Sequence, residues 1–200
     1  MKIVKVNLFI NYCILNCSDT PQLAAWELHF GVSHLNIIIN NSITSNDVSG
    51  IYFDFSDGNT ISDNLISDSR YGIRVGHSNY EIIPGNTVIS DNTITDNQYG
   101  IYAIFSGENL ISNNTITDNR RGIIFLNAPS NVITNNNFMR NSLCDATFRY
   151  SYDDNRWPSA NHWSNNYWNR PRIFPKPIFG LRFQIPWLNF DWNPRIIPYG

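Results

Sequence analysis

The chain has 200 residues, with 14 Lys and Arg against 16 Asp and Glu, and a net charge of −2 at pH 7. This length predicts one domain with flanking segments, and the charge excludes a protein that binds nucleic acid through a strongly basic surface. The charge is unevenly divided, because residues 1–154 carry 8 Lys and Arg against 15 Asp and Glu, whereas residues 155–200 are basic. No stretch has the roughly 20 consecutive apolar residues of a transmembrane helix.

The first segment, residues 1–35, is expected to cap one end of the fold. Lys2 and Lys5 precede a semi-apolar run that resembles a signal peptide, but asparagines interrupt the run and no small-residue cleavage site follows it. A signal peptide, a degenerate first coil and an edge strand all stay open as interpretations. Residues 20–30 predict a short capping helix, because Thr20 can cap its start and Gly31 can end it.

A short phrase then recurs through residues 36–150. Its Gly-Ile pairs begin at Gly50, Gly72, Gly100 and Gly122, which lie 22, 28 and 22 residues apart. Nearly the same intervals separate Asn41, Asn64, Asn92, Asn114 and Asn136. Within each copy apolar residues alternate with polar ones, which is the period of a strand with one buried face. Three short strands per repeat predict an all-β fold, a right-handed parallel β-helix of about five coils.

Asparagine is expected to build the corners of these coils, since the chain contains 30 Asn. The five periodic asparagines should form a ladder of amide hydrogen bonds from coil to coil, and Asn tolerates the left-handed conformation of a corner. The four periodic glycines are expected to supply a second permissive corner. The longer interval of 28 residues predicts a loop near residues 78–85.

The last segment, residues 151–200, has a different composition. It holds five of the six Trp and seven of the ten Pro. Proline at this density disfavours helices and central strands, yet the segment is too aromatic for a disordered linker. We therefore expect an irregular cap that packs on the last coil.

The repeats and the segment from Trp163 to Trp168 together resemble the NosD-like family, also described as carbohydrate-binding and sugar-hydrolase repeats with a pectin-lyase-like fold. The repeat match covers about residues 36–143, and residues 113–119, Asn-Asn-Thr-Ile-Thr-Asp-Asn, are close to the family consensus. The resemblance implies a β-helix located outside the cell or in the cell envelope. The family name comes from a periplasmic protein tied to copper-enzyme maturation, but many proteins with no copper role share the repeat, so it implies fold rather than function.

One outward face carries the candidate functional residues. The strand after each Gly-Ile pair presents Tyr52, Arg74 and Tyr102, with Asp54 and His77 beside them. Tyrosine rings and a guanidinium are side chains that bind sugars, so we predict a non-catalytic module that binds a polysaccharide or a cell-surface glycan. A purely structural role is equally open, because outward tyrosine is also a favourable strand residue.

Two further functions are alternatives. A polysaccharide lyase needs a base and a cation, and a hydrolase needs two carboxylates within about 10 Å, whereas Asp54 is the only obvious carboxylate on this face. An accessory protein for copper-enzyme maturation needs His, Met or Cys ligands, and the four histidines lack paired spacing. We therefore expect no catalytic residue, metal site or cofactor. The abrupt start is typical of a piece of a larger surface protein.

Overall fold

The computed structural model describes residues 2–3, 7–9, 27–76, 83–151 and 160–199, and every regular element in these residues is a β-strand. The strands are β1 Lys2–Ile3, β2 Asn7–Phe9, β3 Leu28–Gly31, β4 Ile37–Ile39, β5 Ser42–Thr44, β6 Ser49–Asp54, β7 Thr60–Ser62, β8 Leu65–Ser67, β9 Tyr71–Gly76, β10 Ile83–Pro84, β11 Val88–Ser90 and β12 Thr93–Thr95. They continue as β13 Tyr99–Ile104, β14 Ser106–Gly107, β15 Leu110–Ser112, β16 Thr115–Thr117, β17 Arg121–Leu126, β18 Val132–Thr134, β19 Asn137–Met139, β20 Cys144–Tyr150, β21 His162–Ser164, β22 Tyr167–Trp168, β23 Lys176–Arg182 and β24 Ile185–Asp191. None of the described segments is a helix that is long and apolar enough to cross a membrane.

The strands stack in three columns along the rod. The first column is β4-β7-β11-β15-β18-β21, the second is β5-β8-β12-β16-β19-β22, and the third is β3-β6-β9-β13-β17-β20. Neighbours within a column are parallel and pair equivalent residues of successive repeats, as Ile94 pairs with Ile66 and Ile116. Within the described residues, five complete coils each give one strand to every column. A sixth strand is added at one end of each column, namely β21, β22 and β3 respectively. The predicted right-handed parallel β-helix is confirmed.

The core consists of apolar side chains that point inward from all three columns. One inward position per three-residue strand is fully buried, and the longer strands of the third column bury two. Isoleucine dominates the middle of the rod, and Phe138, Trp163 and Trp168 replace it at the C-terminal end. Because each coil covers the apolar edge of the next, the core is continuous although no repeat could bury one alone.

Asparagine ladders join the coils at their corners. The Nδ2 atoms of Asn41, Asn64, Asn92 and Asn114 donate to Oδ1 of the asparagine one coil further on, at 3.0–3.1 Å. The left-handed backbone lies at the preceding residue rather than at the ladder asparagine, which corrects the expectation from sequence. Those preceding residues are Asn40, Asp63, Asp91, Asn113, Asn135 and Asn165.

The periodic glycines do not form a second left-handed corner, contrary to expectation. They lie inside the strands of the third column and are absent from the described glycines with positive φ, which are Gly58 and Gly76. A Cβ atom on Gly50, Gly72 or Gly100 would lie 2.7 Å from the carbonyl oxygen of the next periodic glycine. Glycine is therefore required there by close contact between coils.

The N-terminal region differs from the predicted helical cap. Leu28–Gly31 is strand β3, which pairs in parallel with β6, so the end of the proposed helix over residues 20–30 is wrong. Leu28 and Phe30 alternate with less buried residues along β3, and their buried side chains pack under the first coil. Strands β1 and β2 pair antiparallel with β5 and β4 as edge strands, and the other residues before Glu27 lie outside the described residues. Of the predicted loop near residues 78–85, the structure describes residues 83–85, in which β10 pairs in parallel with β14.

The C-terminal segment contains regular strands despite its prolines. Strands β21 and β22 extend the first two columns, so the strand stack reaches beyond residues 36–150 at both ends. Strands β23 and β24 then form an antiparallel hairpin that joins the third column at β20 to the first column at β21 and covers the end of the rod. Pro177 lies outside the stretch of β23 that pairs with β20, and Pro186 lies outside the stretch of β24 that pairs with β21. Both prolines are tolerated because no hydrogen bond to β20 or β21 needs their missing N–H groups.

Candidate functional site

The outer face of the third column carries most of the residues proposed from sequence. Successive strands align His29, Tyr52, Arg74 and Tyr102 at one register position. Asp54 lies two residues further along its strand, level with Gly31 and Gly76. The structure therefore brings Tyr52, Asp54, Arg74 and Tyr102 onto one face, while His77 lies outside the described residues.

The ring of Tyr52 is enclosed by its neighbours in the column. The guanidinium carbon of Arg74 lies 4.4 Å from the centroid of this ring. The imidazole of His29, one coil earlier, stacks on the same ring with centroids 4.6 Å apart. The ring of Tyr52 is therefore stacked on His29 and holds Arg74 in place, and its hydroxyl hydrogen-bonds the carboxylate of Asp54.

A second line of aromatic residues, which the sequence analysis missed, lies beside the first. Tyr71 and Tyr99 stack with centroids 5.0 Å apart, and Tyr102 packs 5.0 Å from Tyr71. Arg121 lies 5.6 Å over Tyr99 and donates to its hydroxyl at 3.3 Å. Tyr71, Tyr99 and Arg121 each directly precede a periodic glycine, so the repeated patterns Tyr-Gly-Ile and Arg-Gly-Ile could have revealed them.

The electrostatics of the face favour a ligand that accepts hydrogen bonds. Burial raises the pKa of Tyr52 to about 12, against the lowering effect of Arg74 and with help from Asp54. Burial also raises the pKa of Tyr102, so both hydroxyls stay protonated near neutral pH. Among the described residues, Arg70, Arg74 and Arg121 form no ion pair, although all three lie on tyrosine rings. We call this set the tyrosine–arginine face, made of Tyr52, Arg70, Tyr71, Arg74, Tyr99, Tyr102 and Arg121.

The structure adds a second carboxylate that the sequence analysis did not place. Glu27, just before β3, interacts electrostatically with Tyr52 alongside Asp54, and one of its oxygens lies 3.8 Å from Nδ1 of His29. Oδ1 of Asp54, Oε2 of Glu27 and Nε of Arg74 are buried without hydrogen-bond partners in the described structure. Two carboxylates, an imidazole and a guanidinium therefore surround Tyr52.

A groove of about 570 Å³ continues the same face toward the hairpin. Its lining includes Arg121, Cys144, Asp145, Lys176 and Phe179. Burial lowers the pKa of Lys176 and raises the pKa of the Cys144 thiol, and Arg121 only partly offsets the effect on the thiol. The thiol is therefore a packed neutral group, and the cationic side chains of the groove extend the tyrosine–arginine face.

The profile of the family described as "Periplasmic copper-binding protein (NosD)" matches residues 27–173. This chain belongs to the NosD family. The match starts at the residue before β3 and ends before the β23–β24 hairpin, so it coincides with the strand stack.

One solved structure similar to this NosD-family chain is a mutant of the periplasmic alginate epimerase AlgG, at 15% sequence identity and a TM-score of 0.51. The alignment covers 86% of this chain and 47% of that chain, so this chain spans about half the length of that structure. At this identity the likeness shows the fold alone. No curated protein matches the chain.

The family description names copper, and copper binding needs His, Met or Cys side chains that converge on one point. His29 contacts Glu27 and His34 contacts Asp57, whereas His162 lies at the far end of the rod. No three His, Cys, Asp or Glu side chains in residues 27–76, 83–151 and 160–199 come together in a way that could hold a metal ion. The described part of this NosD-family chain therefore does not fit a copper centre.

Proposed function

We propose that this NosD-family β-helix is a non-catalytic module of the cell envelope that binds an acidic polysaccharide along its tyrosine–arginine face. The observation that carries the proposal is that the guanidinium groups of Arg70, Arg74 and Arg121 are each held on a tyrosine ring and form no ion pair with another described residue. A cation without a carboxylate partner on a shaped surface suits a ligand that supplies negative charge.

The shape of the face suits a polymer. Register positions from His29 to Thr147 follow one another across successive strands, and each step along the rod is about 4.8 Å. Six such positions span about 24 Å, which is long enough for several sugar units in a row. The groove at Lys176 prolongs this surface, so we expect the polysaccharide to lie parallel to the axis of the rod.

The chemistry of the side chains suits carboxylated sugars in particular. The guanidinium groups can pair with carboxylates, and the protonated hydroxyl of Tyr102 can donate to sugar oxygens, whereas that of Tyr52 donates to Asp54. The family is described as periplasmic and the similar structure is named a periplasmic alginate epimerase, which together support a cell-envelope location and make alginate a suitable first probe.

Affinity electrophoresis in gels that contain alginate or neutral dextran tests the proposal. Wild-type protein should be retarded by alginate and not by dextran, and Arg74→Ala should reduce the retardation at least about tenfold. Arg170→Ala is the matched control, because Arg170 is exposed beyond β22 and away from the face. Equal retardation of wild type and Arg74→Ala, or no retardation by alginate, would overturn the proposal. Retardation should weaken as salt is raised.

A polysaccharide lyase is the second candidate, and one observation favours it. Glu27 and Asp54 both raise the pKa of Tyr52, whose ring carries Arg74, so a candidate base and a cation lie on one surface. In such a reaction a base removes a proton beside a carboxylate whose charge the cation neutralises. Prolonged incubation with alginate, followed by size-exclusion chromatography of the polymer, decides this point: shortening that is lost in Glu27→Gln indicates catalysis, and an unchanged polymer excludes it for this substrate.

A further inference from the structure

The outward side of the β23–β24 hairpin, at the C-terminal end of the rod, is apolar. Residues alternate along both strands, so Ile178 and Asn189 point inward and are buried. The cross-strand pairs on the other side are Pro177 with Phe190, Phe179 with Leu188, and Leu181 with Pro186, and the ring of Trp192 lies 5.0 Å from that of Phe190. We call these seven outward residues the apolar end face.

Large apolar side chains are exposed here more than elsewhere on the protein. Nine of the sixteen that are exposed in the described residues lie between residues 173 and 197. Phe179 and Trp192 are 68% and 66% exposed. At about 150–250 Å² for a whole aromatic side chain, these two leave roughly 250 Å² in contact with water. With Leu188 and Phe190 added, the apolar end face reaches the roughly 300–600 Å² of the largest apolar patch on a typical monomer, a size that marks an interaction surface.

Cations flank the apolar end face. Residues 160–199 carry five of them, which are Arg170, Arg172, Lys176, Arg182 and Arg195. Lys176 and Arg182 are the first and last residues of β23, so they stand at the two ends of the face. The one acidic residue of this segment, Asp191, is fully buried, and Asp145 on β20 acts electrostatically on Lys176. Residues 160–199 therefore expose apolar and cationic side chains and no acidic one.

We propose that the apolar end face docks the rod, end on, onto an anionic lipid bilayer. Exposed Trp and Phe rings enter the boundary between headgroups and acyl chains, and the Arg and Lys side chains beside them pair with anionic headgroups. The charge of the rest of the chain supports this orientation. Residues 1–154 carry 8 Lys and Arg against 15 Asp and Glu, so the same headgroups repel them. The family is described as periplasmic, and the periplasm is bounded by membranes.

A second copy of this chain fits the apolar end face less well. Two copies that met through this face would bring the five cations of each together, and residues 160–199 expose no acidic side chain to offset them. Like charges that face each other across an interface oppose association. An anionic bilayer offers both an apolar layer and headgroups of the opposite charge.

Docking on a bilayer does not rest on the polysaccharide binding proposed above. Leu188 and Trp192 lie outside the tyrosine–arginine face and outside the groove at Lys176, although Phe179 lines that groove. A rod that stands on its end keeps its side, and with it the tyrosine–arginine face, open to a polymer. Leu188→Glu should therefore keep its retardation in alginate gels while it loses binding to vesicles, so failure of one proposal is distinguishable from failure of the other.

Cosedimentation with sucrose-loaded vesicles tests the proposal, with phosphatidylcholine alone and with an equal mixture of phosphatidylcholine and phosphatidylglycerol. Wild-type protein should bind the anionic vesicles at least about tenfold more tightly than the neutral ones, and the difference should shrink as salt is raised. Brominated acyl chains should quench the tryptophan fluorescence of the bound protein. Trp192→Phe should reduce the quenched fraction, because Trp163 and Trp168 are buried inside the rod.

Leu188→Glu is the main variant, because it places a carboxylate in the middle of the apolar end face and should lower the affinity for anionic vesicles at least about tenfold. Leu65→Glu is its matched control. Both leucines are 41% exposed, and both changes add one negative charge, but Leu65 lies on β8 in the second column. The control should bind like wild type. Thermal denaturation checks the fold of each variant, and Trp192→Ser, beyond the end of β24, serves if Leu188→Glu does not fold.

Three results would overturn the proposal: no binding to anionic vesicles, equal affinity for neutral vesicles, or equal affinities of Leu188→Glu and Leu65→Glu. Analytical ultracentrifugation covers the competing occupant. A concentration-dependent dimer that Leu188→Glu abolishes, without any binding to vesicles, would overturn the bilayer and assign the apolar end face to a second copy of this chain.

Discussion

The indole nitrogen of Trp168 donates to Oδ2 of Asp191 at 2.9 Å, and this hydrogen bond ends the central asparagine ladder. The backbone N–H and Nδ2 of Asn166 donate to the same oxygen at 3.0 Å. A ladder of amides always leaves donors at one end, and here a fully buried carboxylate accepts them. Asp191 is the one acidic residue among residues 155–200, and its position in the hairpin joins the cap to the coils.

Asp191→Ala should therefore destabilise the whole rod. Three buried donors would lose their acceptor, and each costs about 1–3 kcal/mol, so we expect a loss of at least about 3 kcal/mol in the free energy of unfolding. Asp191→Asn retains one oxygen acceptor and should lose less than half as much. Urea denaturation of the three proteins measures both values. Similar losses for Ala and Asn would show that charge, and not donor satisfaction, dominates at this position.

The period of the sequence was sufficient to predict the coils, because stacking repeats equivalent residues and leaves their spacing visible. The composition of the last segment was misleading for a physical reason. Proline excludes a strand only where its missing N–H would pair, and Pro177 and Pro186 lie where β23 and β24 have just one partner. Composition cannot distinguish such a hairpin from an irregular cap.

Gly100→Ala tests whether the periodic glycines are required by contact or by backbone conformation. A Cβ at this position would lie 2.7 Å from the carbonyl oxygen of Gly122, and the two coils could not separate without breaking ladder hydrogen bonds. We expect a loss of about 2 kcal/mol or more.

Gly31→Ala is the matched control for this experiment. A Cβ there would meet only Nε2 of His29, at 3.8 Å, an ordinary contact. Thermal and urea denaturation of both variants should show the larger loss at Gly100. A loss at Gly31 as large as at Gly100 would mean that the general cost of replacing glycine, and not the approach of the next coil, explains both results.

Ile116→Asn tests the inward columns. Ile116 is fully buried between Ile94 and Phe138, so an amide at this position would lack a partner and cost about 3 kcal/mol. Leu110→Asn, at an outward position 38% exposed on β15, should cost less than about 1 kcal/mol. Chemical denaturation at equilibrium gives both numbers. Comparable losses would contradict the assignment of inward and outward positions.

The candidate site was only partly predictable, because side chains meet there across coils. Tyr52, Arg74 and Tyr102 follow from register once the repeat is known. Glu27 does not, since it precedes the first strand of the stack and the composition of residues 20–30 suggested a helix. Contacts at the ends of a solenoid depend on how the chain enters the first coil, which the repeats do not encode.

Tyr52→Phe tests the electrostatics of the face. Burial raises the pKa of Tyr52 to about 12, above the value of about 10 expected when the chain is unfolded. The folded state therefore binds the phenolic proton more tightly, so stability is fully present below about pH 10 and is lost as pH rises toward about 12. The variant lacks this group, and its stability should fall less steeply over that window.

Arg74→Ala should move the Tyr52 transition to still higher pH, because Arg74 lowers the pKa of Tyr52. Urea midpoints and phenolate absorbance, measured from about pH 9 to 12, report both effects, and identical slopes in wild type and Tyr52→Phe would contradict the burial of this hydroxyl.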